Sequence, residues 1–293
     1  MRKQFVKTVE SLVEIDTRAV VLLGDIGIFG FRNSFKNYPD RTYNIGILEQ
    51  STISLAAGLS IGSMIPIIHT IAPFLVERAF EQLKIDFGYQ SLNGNFVTIG
   101  ASYDYASLGC THHCPGDISL LLTIPNMQIV CPGNSFEFDQ LFNQSYNNGQ
   151  PTYFRLSEYE NDKLDLDIVF GKANLVKKVD NSKALIIVVG NLLQNVILAT
   201  KYLDCDILYY TTISPFDEKS LKENFNENII VFEPFYEGSI NYNINLTLKG
   251  LKYKLTNIGV PREFLTNYGS KTEHDFNLGL DVDSIKERIK NEL

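Results

Sequence analysis

Short apolar runs alternate with amphipathic stretches along the whole chain. The runs at 19–24 (AVVLLG), 64–70 (MIPIIHT), 95–101 (NFVTIGA), 127–131 (MQIVC) and 152–156 (TYFRL) are brief, often β-branched and bounded by turn-forming residues. They predict buried strands. Between them, 49–62, 73–87, 117–123 and 136–147 read as helices. Pro73 stands in a first turn and Gly62 at a C-terminal stop, each in its usual role. Strand and helix in alternation predict a parallel sheet covered on both faces. Residues 158–182 are polar and have little period, which suggests a linker with one short strand pair. A second alternating set follows, with strands at 184–190, 205–213, 228–233 and 251–259 and helices near 192–203, 217–224, 239–250 and 282–292. The expected fold class is therefore α/β with two domains, each a mainly parallel sheet covered by helices. The boundaries fall at 1–160, a linker at 161–182, and 183–293.

Composition narrows the functional classes. A length of 293 residues suits one large or two ordinary domains. Lys and Arg number 26 against 34 Asp and Glu, a net charge of −8. A scaffold that grips nucleic acid through its phosphates would be basic, so no nucleic-acid partner is expected. Hydrophobic residues make up 44% and charged residues 20%, which fits a folded chain with a full core. No apolar run reaches the ~18 residues of a membrane span. The N-terminal stretch MRKQFVKTVESLVEID is amphipathic and carries acids, unlike a secretory signal. Four cysteines do not make a disulfide framework. A cytoplasmic protein with no membrane partner is expected.

The common phosphate-loop, dinucleotide and serine-elbow motifs are absent. Three clusters remain. In the first, Asn44 to Gln50, Glu49 opens a helix just after a strand. The helix dipole alone explains an acid there. A carboxyl at the carboxyl edge of a parallel sheet is also where ligands of such folds bind. The second cluster is Cys110-Thr111-His112-His113-Cys114-Pro115-Gly116-Asp117. A zinc site would want a second short-spaced pair, and none lies nearby. Adjacent histidines cannot both face one core, so one points to a cleft, where it suits proton transfer or hydroxyl binding. Solvated loop histidines are the plain alternative. The third cluster follows His69. Phe74 and Arg78 open a helix, and an aromatic plate beside an Arg could stack a heteroaromatic ring and hold an anion. A core Phe with a surface Arg is the plain alternative. All three lie at the C-terminal ends of predicted strands, so one crevice could gather them.

These segments also carry a resemblance. RTYNIGILEQSTISLAAGLS, IIHTIAPFLVERAFEQLKID, LGCTHHCPGDISLLLTIPNMQIVCPGN and QPTYFRLSE are similar, in order and spacing, to the pyrimidine-binding domain of transketolases. The likeness is greatest to split transketolases, whose C-terminal half is a separate polypeptide. Residues 183–293 resemble the transketolase C-terminal domain. The resemblance implies thiamine diphosphate as cofactor. Glu49 matches the glutamate that hydrogen-bonds N1′ of the aminopyrimidine. A carboxyl there favours the imino tautomer, whose 4′-nitrogen removes the thiazolium C2 proton. Phe74 matches the aromatic that stacks on the pyrimidine ring, while the family's other aromatic corresponds to Ile71. The family pattern has one residue fewer between this Phe and Arg78. His112 matches the substrate-binding histidine, and His69, His113 and Arg155 are candidates beside it.

One departure concerns the acceptor. Transketolases usually carry Arg after the Leu-Ser of the last strand, where it holds a substrate phosphate; here that residue is Glu158. An acid there would repel a phosphate dianion. Either Arg155 substitutes, or the acceptor is an unphosphorylated or nucleotide-linked sugar. The family also needs a domain carrying GDG and Asn-Asn, whose oxygen ligands hold Mg²⁺ and the diphosphate. No GDG occurs here. The resemblance thus implies a separate N-terminal transketolase subunit as partner, in an α2β2 assembly, with no metal held by this chain. The other enzymes it allows are the beta subunit of a 2-oxo-acid dehydrogenase and a deoxyxylulose-phosphate-synthase-like enzyme. A non-catalytic partner that keeps the fold is the remaining alternative.

Overall fold

The computed structural model describes residues 1–293. It contains two sheets. The first has the strand order β10-β5-β6-β4-β3-β1-β2. Its members are β1 (Ala19–Leu23), β2 (Thr42–Asn44), β3 (Ile65–Ile71), β4 (Gly94–Ile99), β5 (Gln128–Val130), β6 (Pro151–Arg155) and β10 (Thr212–Ser214). The second runs β12-β11-β8-β9-β7. It is built from β7 (Ala173–Lys177), β8 (Ala184–Val189), β9 (Cys205–Tyr210), β11 (Asn228–Tyr236) and β12 (Lys254–Val260). All pairings are parallel except β10 with β5 and β7 with β9.

The strands β1, β4, β8 and β9 are buried at every position. Such continuous burial requires cover on both faces, which explains their unbroken apolar sequences. On one side of the first sheet the helix Arg2–Ile15 buries Phe5, Val9, Leu12 and Val13. On the outer side of the second, the helix Val282–Glu292 buries Ile285 and Ile289. Between the sheets lies one continuous core: Val20, Ile68 and Phe96 of the first share a cluster with Leu185, Leu208 and Val231 of the second.

Three local expectations need correction. The apolar run 205–213 is two strands, not one. After β9 the chain leaves the second sheet, and Thr212 pairs with Val130 at the edge of the first. Within the segment expected as linker, β7 is a full member of the second sheet. Finally, the expected helix 73–87 is broken into Ala72–Val76, Phe80–Gln82 and a π-helical Leu83–Tyr89. The break starts where the extra residue lies. The amides of Glu77 and Arg78 both reach the Pro73 carbonyl, at 3.0 and 3.2 Å, so the turn widens to take one residue more.

Candidate active site

The C-terminal edge of the first sheet carries most of the expected residues. β2 ends at Asn44, whose side chain sets the following turn. Its Oδ1 accepts from the Asp25 amide at 3.0 Å and the Gly46 amide at 3.2 Å. Gly46 has φ +82°, a left-handed conformation that a side chain would strain. This turn delivers Glu49 to the first position of the helix Glu49–Ile61. Glu49 is 4% exposed. Oε2 accepts from Arg78 Nη1 at 2.8 Å. Oε1 is buried with no partner at all. An unpaired buried acceptor costs about 1–3 kcal/mol, and functional sites are where such costs are tolerated.

β3 delivers the second group. Pro73 starts the helix Ala72–Val76. Phe74 stays partly exposed, with the Arg78 guanidinium 4.4 Å from its ring centroid. His112 comes from the loop after β4 and meets the Phe74 ring edge-on at 5.3 Å. That loop is held tightly. The Cys114 amide donates to the Ser102 carbonyl at 2.7 Å. Gly109 has φ +72°, and a Cβ there would lie 2.6 Å from the Tyr268 ring. Glu49, Phe74, Arg78 and His112, from three separate stretches of sequence, thus form one group. No cluster of three or more His, Cys, Asp or Glu is placed to hold a metal ion.

The remaining candidates do not join it at the surface. His69 is fully buried, with Nδ1 2.8 Å from the Val97 carbonyl and its ring 4.6 Å from Phe5. Burial pushes its pKa down to about 4, against the help of Val97. His113 packs at right angles to His274, centroids 5.6 Å apart. Burial, then the neighbouring His274 and His112, lowers its pKa. Ile71 is partly buried and packs toward Gly100. Arg155 does not offer itself as a phosphate ligand. It is an interior strut, 4% exposed, donating from Nε to Asp117 Oδ2 at 2.7 Å and from Nη2 to Ser102 Oγ at 2.6 Å.

Sequence reading missed Tyr105, whose ring stands 6.3 Å from His112. Tyr103-Asp104-Tyr105 follows β4 at the same sheet edge, which was the available signal. Asp104 is buried, and desolvation raises its pKa to about 6 although it accepts from the Glu158 amide and the Ser157 hydroxyl. It thereby fixes the start of the segment that carries the exposed Glu158. The helix Lys271–Leu278, which brings His274 to His113, was also missed.

Comparison with known proteins bears on the family and the fold. The family model for the transketolase pyrimidine binding domain matches residues 1–162. An uncharacterised 33.6 kDa protein in the fasciation locus of Rhodococcoides fascians is 34% identical over 292 residues, covering 98% of this chain and 93% of that one. One of the subunits of apulose-4-phosphate transketolase from Phocaeicola vulgatus is 29% identical over 287 residues, covering 93% of this chain and 88% of that protein. Among solved structures, one described as split gene transketolase, inactive beta4 tetramer, superposes with a TM-score of 0.86 at 22% identity. It covers 100% of this chain and 97% of its own, and shows the shared fold. With its two-sheet architecture and a matched domain that contains Glu49, Phe74 and His112, the chain belongs to the transketolase family and resembles the C-terminal subunit of its split members.

Proposed function

We propose that this chain is the C-terminal subunit of a two-chain, thiamine-diphosphate-dependent transketolase, which moves a two-carbon ketol unit from a ketose donor to an aldose acceptor. The observation that carries the reading is the meeting of Glu49, Phe74 and His112 at one sheet edge, with a buried carboxyl oxygen that no protein group satisfies. The residues fit the pyrimidine end of the cofactor: a carboxyl to hold the proton at N1′, and an aromatic plate to stack on. When bound, the cofactor supplies the carbanion chemistry. His112, partly exposed beside Phe74, would contact the donor hydroxyl and carbonyl. Mg²⁺ and the diphosphate would belong to the partner subunit.

A partner surface is supported by the chain itself. Ile47 and Leu48, just before Glu49, are 64% and 57% exposed. Leu55 and Ile61 extend the apolar exposure along the same helix. The Phocaeicola vulgatus relative, itself described as a transketolase subunit, supports a two-chain assembly as well. At the acceptor end Glu158 is exposed and Arg155 is committed to Asp117, so neither would hold a phosphate. An unphosphorylated or nucleotide-linked acceptor fits better.

The test is reconstitution with the GDG-bearing polypeptide. The pair should extend an aldose by two carbons, seen by mass spectrometry, and this chain alone should turn over no ketose. Glu49→Gln in the pair should lower activity by ~100-fold or more. Undiminished turnover by that variant would refute the assignment. Efficient use of an ordinary phosphorylated aldose would refute the acceptor part alone.

A further inference from the structure

The two groups assigned to the pyrimidine ring are already engaged by one side chain. Arg78 donates to Glu49 Oε2 at 2.8 Å, and its Cζ stands 4.4 Å from the centroid of Phe74. A guanidinium is flat, delocalised, and donates in its own plane while its face stacks. An aminopyrimidine on the same two groups would make the same kind of contacts. We propose that Arg78 is a placeholder: it covers the stacking face of Phe74 and holds the Glu49 carboxylate through Oε2 until the cofactor ring takes its place over Phe74 and beside that carboxyl. The inference rests on the proposed function and says how that site is kept and opened.

Three observations support a placeholder: one says that Arg78 can leave, and two say why it sits there meanwhile. First, Arg78 is loosely held. Its side chain is 44% exposed, whereas that of Glu49 is 3% exposed, and its guanidinium makes no other hydrogen bond. Second, the buried carboxylate needs a cation. Oε1 of Glu49 has no partner, so without Arg78 the group would stand wholly unpaired. Third, the backbone aims the side chain there. The widened turn, with the Glu77 and Arg78 amides both on the Pro73 carbonyl, sets Arg78 one turn beyond Phe74 and folds it back over that ring.

A site that is competent only part of the time binds more weakly by that fraction. Removing the placeholder should therefore tighten binding. The experiment uses the chain assembled with its diphosphate-binding partner, and titrates it with thiamine diphosphate and Mg²⁺ by calorimetry and stopped flow. Arg78→Met keeps the stem and removes the fork. It should lower the Kd by about five-fold or more. In the unmodified pair the observed binding rate should level off with rising cofactor, because release of Arg78 comes first; in Arg78→Met it should keep rising. Arg78→Lys, charged but not planar, should fall between. Equal or weaker binding by a folded Arg78→Met overturns the proposal, since an arginine that helps hold the cofactor gives that result. If Arg78→Met fails to assemble, a rate that never levels off in the unmodified pair overturns it instead. An unmodified pair that binds no thiamine diphosphate removes the proposed function and this inference together. Tight binding without a gain in Arg78→Met removes this inference alone.

Discussion

Two acid–guanidinium pairs stand at the same end of the first sheet and differ in how completely they are satisfied. Asp117 and Arg155 are both buried. The Asp117 carboxylate also accepts from the Tyr153 hydroxyl at 2.9 Å and the Ile118 amide at 3.0 Å, and Arg155 reaches Ser102. Glu49 and Arg78 share a single hydrogen bond, one partner is half exposed, and one carboxyl oxygen is left over. The first pair is complete and acts as a strut. The second is incomplete in the way a binding site is before its ligand arrives. Saturation of partners, together with burial of the guanidinium, separates the structural pair from the one assigned to the proposed site.

The largest effect should come from breaking the saturated pair. Arg155→Met strands Asp117 without its cation, so the chain should lose ~3–5 kcal/mol in urea unfolding. The double variant Arg155→Met with Asp117→Asn should recover part of that loss. A loss under ~1 kcal/mol for the single variant would place both pairs in the same class.

The next effect is a pH dependence set by burial. Glu233 is fully buried and accepts from the Gly238 and Ile240 amides, yet desolvation outweighs those bonds and lifts its pKa from 4.5 to about 7. The folded state therefore keeps a proton that the unfolded state releases, so stability falls as pH rises between those values. Asp104 has the same sign between 3.8 and about 6. His69 has the opposite one: folded, its pKa lies near 4 instead of 6.5, so its contribution improves as pH rises through that window. From pH 6.5 to 7 the Glu233 slope alone remains of the three. Glu233→Gln should flatten it, removing at most ~3 kcal/mol across the full range. Thermal melts at stepped pH read this directly, and a slope unchanged by the substitution would contradict the assignment.

Glu49→Gln should change stability by less than ~1 kcal/mol in denaturant melts, because its pair is half wet and its second oxygen unmatched. A loss above ~2 kcal/mol would mark Glu49 as a strut like Asp117. Smallest of all is Lys222→Ala. Lys222 and Glu218 are 53% and 52% exposed at helical spacing, so their loss should cost under ~0.5 kcal/mol.

Much of this was legible in the chain. Buried parallel strands are apolar throughout, so AVVLLG and ALIIVVG announce themselves. Phe74 and His112 could be proposed because each lies beyond such a run, whereas Glu49 follows the short, mostly exposed β2 and was marked by its place at the start of a helix. The partner choices of ionised groups were not legible. Arg155 looked available because nothing local shows Asp117, 38 residues away, folding onto it. His274 lay in a polar stretch whose helix is set by the Ser270 and Glu273 capping box, and its burial comes from the packing of that helix against Tyr103 and His113. The broken helix after Pro73 was signalled by one surplus residue, but where a helix absorbs such a surplus is decided by tertiary contacts.

The short strand β10 carries a consequence for how the polypeptide can be divided. Its residues come from beyond position 211, yet the Cys131 amide donates to the Thr211 carbonyl at 2.7 Å, and Thr212 and Ser214 lie alongside β5. A fragment ending before β7 would keep Glu49, Phe74, Arg78 and His112 and still leave β5 as a bare sheet margin, open to stray pairing. Chimeras that swap the N-terminal half between relatives should therefore carry the donor's segment through Ser214, or accept an aggregating seam.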